Sequence, residues 1–203
     1  MLNKIILKIL NLPTIIRLRF YPRFNRLLFR LKGVTFGQNM TIQGKVSLIG
    51  EGKITIGDNF YMSSGEHVNP IISNMQGAFF TDNPEAKIII GNNVGMSSTR
   101  MLISKSLTIC NNVTIGSCVL LIDSDYHPMD YKERRISKKG AKSAPIVIEE
   151  DAWIGAHSII LRGVTIGARS IIGAGSVVTK SIPADCIAAG NPCKVIKSLL
   201  KNT

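Results

Sequence analysis

At 203 residues, with 45% apolar side chains, 6% aromatics and 18 glycines, the chain is long enough for one domain with a substantial core. Its plentiful Ile, Val and Gly suit many short strands joined by tight turns and argue against a helical bundle. The net charge of +12 calls for an anionic partner such as a membrane surface, an acidic polymer or a phosphorylated cofactor.

The chain opens on residues 1–35, where Lys4, Lys8, Arg17, Arg19, Arg23, Arg26, Arg30 and Lys32 all precede the first carboxylate, Glu51. The stretch "NKIILKILNLPTIIRLRFYPRFNRLLFRLKG" mixes aliphatic and basic residues at helical spacing. Its cations cut the apolar runs short of the ~20 residues of a spanning helix, and no small-residue cleavage site follows. Pro13 and Pro22 divide it. A basic amphipathic helical segment is expected, capping one end of the fold or touching anionic lipid; the two readings are compatible.

From Ile148 the sequence cuts as IEEDAW, IGAHSI, ILRGVT, IGARSI, IGAGSV, VTKSIP, so Ile148, Ile154, Ile160, Ile166, Ile172 and Val178 stand six apart. A helix has no use for that period and a plain strand alternates by two, whereas one short strand plus one turn fits it. The first residue of each six should point inward. The second is often Gly, where the backbone turns with positive φ or is crowded. The fifth is small at Ser158, Ser170 and Ser176, as an inward corner requires. Ile109, Ile115 and Leu121 keep the same step, and the aliphatic–Gly pairs Ile90–Gly91 and Ile56–Gly57 carry the series back to Phe36. Slips of register between Leu48 and Ile56, and between Met96 and Ile103, mark bulges or short loops. The reading is an all-β solenoid of stacked short parallel strands over residues 36–197, with a tail at 198–203.

Leu121 to Ile148 is 27 residues, which six does not divide, so part of "HPMDYKERRISKKGAKSAP" must leave the coil as a loop. His127 opens that loop, and Pro128 restricts its backbone to extended conformations. On the residues alone His127 is either a solvated histidine or a general base, with Asp123 and Asp125 near enough to orient it. His157, fourth in IGAHSI, should face solvent, and His67 reads as structural. The three histidines lie sixty and thirty residues apart, so no metal site is expected. Cys110, Cys118, Cys186 and Cys193 lack C-x-x-C spacing and read as free thiols. The cations are not interleaved with aromatics as in a known nucleic-acid module, so nucleic acid is not an expected partner.

The hexapeptide pattern, with "GVTIG", "GAGSVVTK" and "AAGNPCK" in that order, resembles the left-handed parallel β-helix acyltransferases over roughly residues 36–197. It looks closest to the O-acetyltransferases of capsule, exopolysaccharide and O-antigen synthesis. The resemblance implies triangular left-handed coils, a homotrimer with active sites between neighbours, and direct transfer from acetyl-CoA. "DSDYHP" is similar to the family's histidine segment, which makes His127 the catalytic base, supported by Asp125, Asp123 and Trp153. The resemblance also places coenzyme A contacts at Ala156, Ala174, Thr179, Lys180, Lys194 and Lys197. Where the family's sugar acetyltransferases carry an asparagine and an aspartate ahead of the histidine, this chain has "GMSSTRMLISKS", which offers Ser97, Ser98 and Arg100 to the acceptor. The implied protein is a cytoplasmic O-acetyltransferase with a carbohydrate acceptor and no metal, and its basic N-terminal segment leaves peripheral contact with the inner membrane face open beside the cap. The competing readings are an amino-sugar N-acyltransferase, an O-acetyltransferase for serine or an antibiotic, and a non-catalytic β-helix scaffold or binding module.

Overall fold

The computed structural model describes residues 18–65, 68, 75–137 and 140–200. Residues 1–17, His67, Lys138, Lys139 and 201–203 lie outside the described residues. Residues 18–31 form helix α1, and from Thr35 the chain winds into coils that each lay one strand on each of three parallel sheets. Sheet A stacks six strands from Thr35–Phe36 to Thr165–Ile166. Sheet C stacks six from Val46–Ile49 to Val177–Val178. Sheet B stacks eight, beginning at Thr41–Gln43, and only its last strand, Lys194–Ser198, turns back antiparallel, on Cys186–Ala189. The result is a parallel β-helix.

The six-residue rule is the inside of this prism. Ile148, Ile154, Ile160, Ile166, Ile172 and Val178 are all fully buried, one per sheet in turn. Burying a side chain of this size stabilises by about 1.5–3 kcal/mol. Ser158, Ser170 and Ser176 are buried at corners, where their hydroxyls donate to the carbonyls of Gly155, Pro183 and Gly173. The second-place glycines answer to crowding: a Cβ on Gly155 would lie 2.5 Å from the backbone nitrogen of Ala174 in the next coil. Positive φ falls instead on the fourth place, at Asp151, His157, Gly163, Arg169 and Gly175. His157 is therefore an exposed turn residue.

One corner carries a side-chain ladder along the same left-handed position. Asn39 donates to Asn59 at 3.0 Å, Asn59 to Asn93 at 2.9 Å, and Asn93 to Asn112 at 3.0 Å. Asparagine tolerates this backbone better than most side chains, and each amide pairs with the coil above.

Helix α1 closes the first coil. Asn25, buried, donates to the carbonyls of Ile42 and Gly44 at 3.0 and 2.9 Å, and Arg26 Nε donates to Met40 O at 2.7 Å. Phe29 packs edge-on against Phe79, which meets Phe60 in the same way, to plug the end of the core. Two connections beside sheet C are longer than the rest, one from Tyr61–Ser63 to Gly77–Thr81 and one from Leu120–Ile122 to Ile146–Ile148.

Candidate functional site

The chain leaves sheet C after Ile122 and is fastened at once. Asp123 is fully buried, and its carboxylate accepts from the backbone N–H groups of Ser104, Lys105 and Ser106 at 2.7, 2.7 and 2.8 Å. Burial pushes its pKa up; the three amides oppose that shift and Asp82 adds to it. Asp123 was expected to orient the imidazole, yet its acceptor capacity is taken up by the preceding coil. Asp125 is engaged as well, accepting from Arg162 Nε at 2.6 Å. Neither carboxylate is hydrogen-bonded to His127 among the described residues. Both instead fasten the backbone that leads to His127, Asp123 to the previous coil and Asp125 to Arg162.

The base of the loop is a short antiparallel ribbon. Ala144 N–H donates to Asp123 O and Asp125 N–H to Lys142 O, both at 2.9 Å, with Ser124 bridging Ser143. Tyr126 then takes a left-handed backbone, φ 56°, unusual for a bulky side chain. Its N–H donates to Ser124 Oγ at 3.1 Å, and its hydroxyl is buried, which pushes the phenol up to about 12. His127 comes next and is exposed, and Pro128 after it is buried. Arg134, from helix α2 (Tyr131–Ile136), reaches back to the carbonyls of Pro128 and Met129 at 3.1 and 3.2 Å. Asp130 caps α2, accepting from the N–H groups of Lys132 and Glu133.

Beside this base a cleft of about 380 Å³ is lined by Ile122, Ser124, Asp125, Leu161, Arg162 and Thr179. Thr179 is therefore brought to the loop that carries His127, and Lys180, exposed, follows it. The other candidates lie elsewhere. Ala156 and Ala174 occupy the same place in successive coils at the corner between sheets B and C, and Lys194 pairs with Ala189 at that end of sheet B. Lys197 pairs with Ile187 on the same hairpin. Ser97 and Ser98 sit at this second corner too. Ser97 Oγ lies 2.6 Å from Ser63 Oγ. Ser98, expected at the acceptor, is fully buried and its hydroxyl donates to Met75 O. Arg100 is exposed and lines a cleft of about 390 Å³ with Ser47, Met75, Gln76, Phe80 and Leu102 on the outer face of sheet C. Trp153 is 52% exposed on sheet B, the side of the prism opposite the His127 corner.

Within one chain the candidates thus form two groups on opposite edges of sheet C. His127, Asp125, Thr179 and Lys180 line one edge, and Ala156, Ala174, Ser97 and Lys194 line the other. Between them Leu120, Ile122, Ile159, Leu161 and Val177 present a half-buried apolar face. Two residues that hold this loop are not evident in the sequence: Arg162 and Tyr126. Arg162 stands 37 residues from Asp125, and only the coil stacking brings the two together.

Comparison with known proteins agrees with the repeat and the fold. Residues 145–180 match the bacterial transferase hexapeptide (six repeats) model. The galactoside O-acetyltransferase of Escherichia coli K12 is 45% identical over 94 residues, which are 46% of this chain and 45% of that enzyme, so the match spans less than half its length. A galactoside acetyltransferase solved in complex with coenzyme A is 32% identical, with TM-score 0.55, over 82% of this chain and 65% of that one. The polySia-specific acetyltransferase NeuO is 26% identical, with TM-score 0.54, over 82% and 81%. With its six-residue repeat and its stack of three-sided coils, the chain is similar to the hexapeptide-repeat transferases, carries their repeat at residues 145–180, and has a left-handed parallel β-helix fold.

Proposed function

We propose that the chain is an acetyl-CoA-dependent O-acetyltransferase that modifies a sugar hydroxyl of a surface polysaccharide or its precursor, working as a cytoplasmic homotrimer. The observation that carries this reading is His127: it is exposed, yet it stands between the half-buried Tyr126 and the buried Pro128, two residues from Asp125 in the Ile122–Thr179 cleft. In the proposed reaction its imidazole takes the proton of the acceptor hydroxyl. The oxygen bonds to the thioester carbonyl carbon, the carbon–sulfur bond breaks, and coenzyme A leaves as the thiol with that proton. No covalent enzyme intermediate is needed, so none of the cysteines acts as a nucleophile.

The likeness to enzymes named for galactoside and polySia acetylation supports a carbohydrate acceptor, and that to a coenzyme A complex supports the donor. Coenzyme A carries phosphates, and Lys180, Lys194 and Lys197 are the exposed cations assigned to them. Arg100 and Ser97 are assigned to the acceptor. The split of these residues over two edges supports sites completed between copies, the His127 edge of one facing the Ala174 edge of the next. The test is His127→Ala assayed with paired hydroxyl and amine acceptors. Loss of a general base should lower kcat by at least about a hundredfold while acetyl-CoA still binds. Near-normal turnover would remove His127 from the mechanism, and faster transfer to amines would make the enzyme an N-acyltransferase.

A further inference from the structure

Helix α1 presents two distinct faces. One is built into the fold through Asn25 and Phe29. Roughly half a turn round the helix, Phe20, Phe24, Leu27 and Leu31 stand at i, i+4, i+7 and i+11 and face outward, 53%, 44%, 55% and 77% exposed. Phe20 and Phe24 stack at 5.3 Å, and with Arg19, Arg23 and Leu27 they line a shallow hollow. One residue earlier at each step runs a parallel basic row: Arg19, Arg23, Arg26 and Arg30. Arg26 is bonded to Met40 O and Arg30 lies 5.6 Å over the Phe36 ring. Arg19 and Arg23 meet no carboxylate among the described residues. A contiguous exposed apolar patch of this kind marks an interaction surface.

We propose that this face of α1 lies flat on an anionic lipid bilayer, with the four apolar side chains in the headgroup–acyl boundary and Arg19 and Arg23 at the level of the lipid phosphates. Charge decides the occupant. A second copy would set the same arginine row against itself. Residues 1–17 add Lys4, Lys8 and Arg17 and no acid, so covering the stripe with them would also bring like charges together. An anionic surface satisfies the stripe and the arginines at once. No helix among the described residues is long and apolar enough to cross a membrane, so the contact is one of lying on the surface. It requires neither donor nor acceptor and stands apart from the proposed catalysis.

The test is sedimentation of the full chain with vesicles of phosphatidylcholine, with and without phosphatidylglycerol. Binding is expected only with the anionic lipid, and it should weaken with salt. Phe24→Ser with Leu27→Ser should lower partitioning by at least about tenfold, and Arg19→Gln with Arg23→Gln by roughly fivefold per charge. All four side chains are exposed, so the variants should keep the wild-type circular dichroism and the wild-type kcat on a soluble acceptor. Equal sedimentation with both vesicle types, or undiminished binding by the Phe24→Ser, Leu27→Ser variant, overturns the proposal. A change in that variant's solution mass, with no vesicle binding by the wild type, would assign the stripe to a contact between copies and overturn it equally.

Discussion

If the His127 edge of one copy meets the Ala174 edge of the next, two inactive variants should restore each other. His127→Ala removes the base, and Ala174→Trp fills an exposed corner on the opposite edge of sheet C without entering the core. In a three-fold ring each site would draw one edge from each of two neighbours. In an equal random mixture, half the copies retain His127 and half retain the open corner. A given site then has both with roughly one chance in four, so the mixture should regain about 25% of wild-type activity per site. The single variants should sit near or below about 1%, as loss of a general base implies. The contrast is therefore more than tenfold, well outside assay error. The assay is acetyl transfer by co-expressed, doubly tagged assemblies, with light scattering to establish their mass. A mixed assembly that stays at the level of the single variants refutes the shared site, as does a wild type that runs as a single copy.

The ion pair of Arg162 with Asp125 is about a third exposed on both sides, 33% and 30%, so Arg162→Ala should cost under about 1 kcal/mol in a thermal melt. The same change should lower kcat roughly tenfold by loosening the loop, with partial rescue by Arg162→Lys; an unchanged kcat would leave the pair a surface contact. Asp123→Ala strands three backbone donors and should destabilise by about 3–5 kcal/mol, read from urea unfolding. The Arg169 hydrogen bond holds the Asp185 carboxyl below its ordinary value, so this pair's contribution exists above the unfolded pKa of 3.8 and is lost as pH falls through the folded one. Wild type and Arg169→Ala should therefore differ in melting temperature at neutral pH and converge in acid.

The inside of the fold was legible because the repeat reports it directly: each aliphatic residue six places on returns to the core. The glycines were half legible. Both positive φ and crowding were in view for the second place, and the packing of Gly155 against Ala174 selects crowding. The left-handed turn at the fourth place has no single residue type to announce it, since Asp151, His157 and Arg169 share it with Gly163 and Gly175. The asparagine ladder and the Arg162–Asp125 pair could not be read, because each needs the knowledge of which residue lies one coil above. Asp123 is the instructive case. Proximity in sequence suggested a partner for His127, while the fold offers it three amides of the previous coil at shorter reach.

The break in the six-residue rule falls at a corner where two sheets meet, and this explains how the solenoid accommodates it. On either side the ladders stay in register, with Leu107 beside Ile146, Ile109 beside Ile148, and Leu121 beside Ile160. The coil thus continues as though residues 123–145 were absent. The entropy of closing such a loop grows only slowly with its length, and the ribbon at its base offsets part of it. Helix α2 is far too short to persist alone. It is held by the Asp130 cap, by Arg134 on the Pro128 and Met129 carbonyls, and by Arg135 and Lys132 against the Tyr131 ring. Between the buried Tyr126 hydroxyl and the buried Pro128, the one exposed side chain is that of His127. A general base has to be reachable and has to stay where it is put. A loop pinned before and after a single exposed imidazole meets both demands, which a free surface histidine does not.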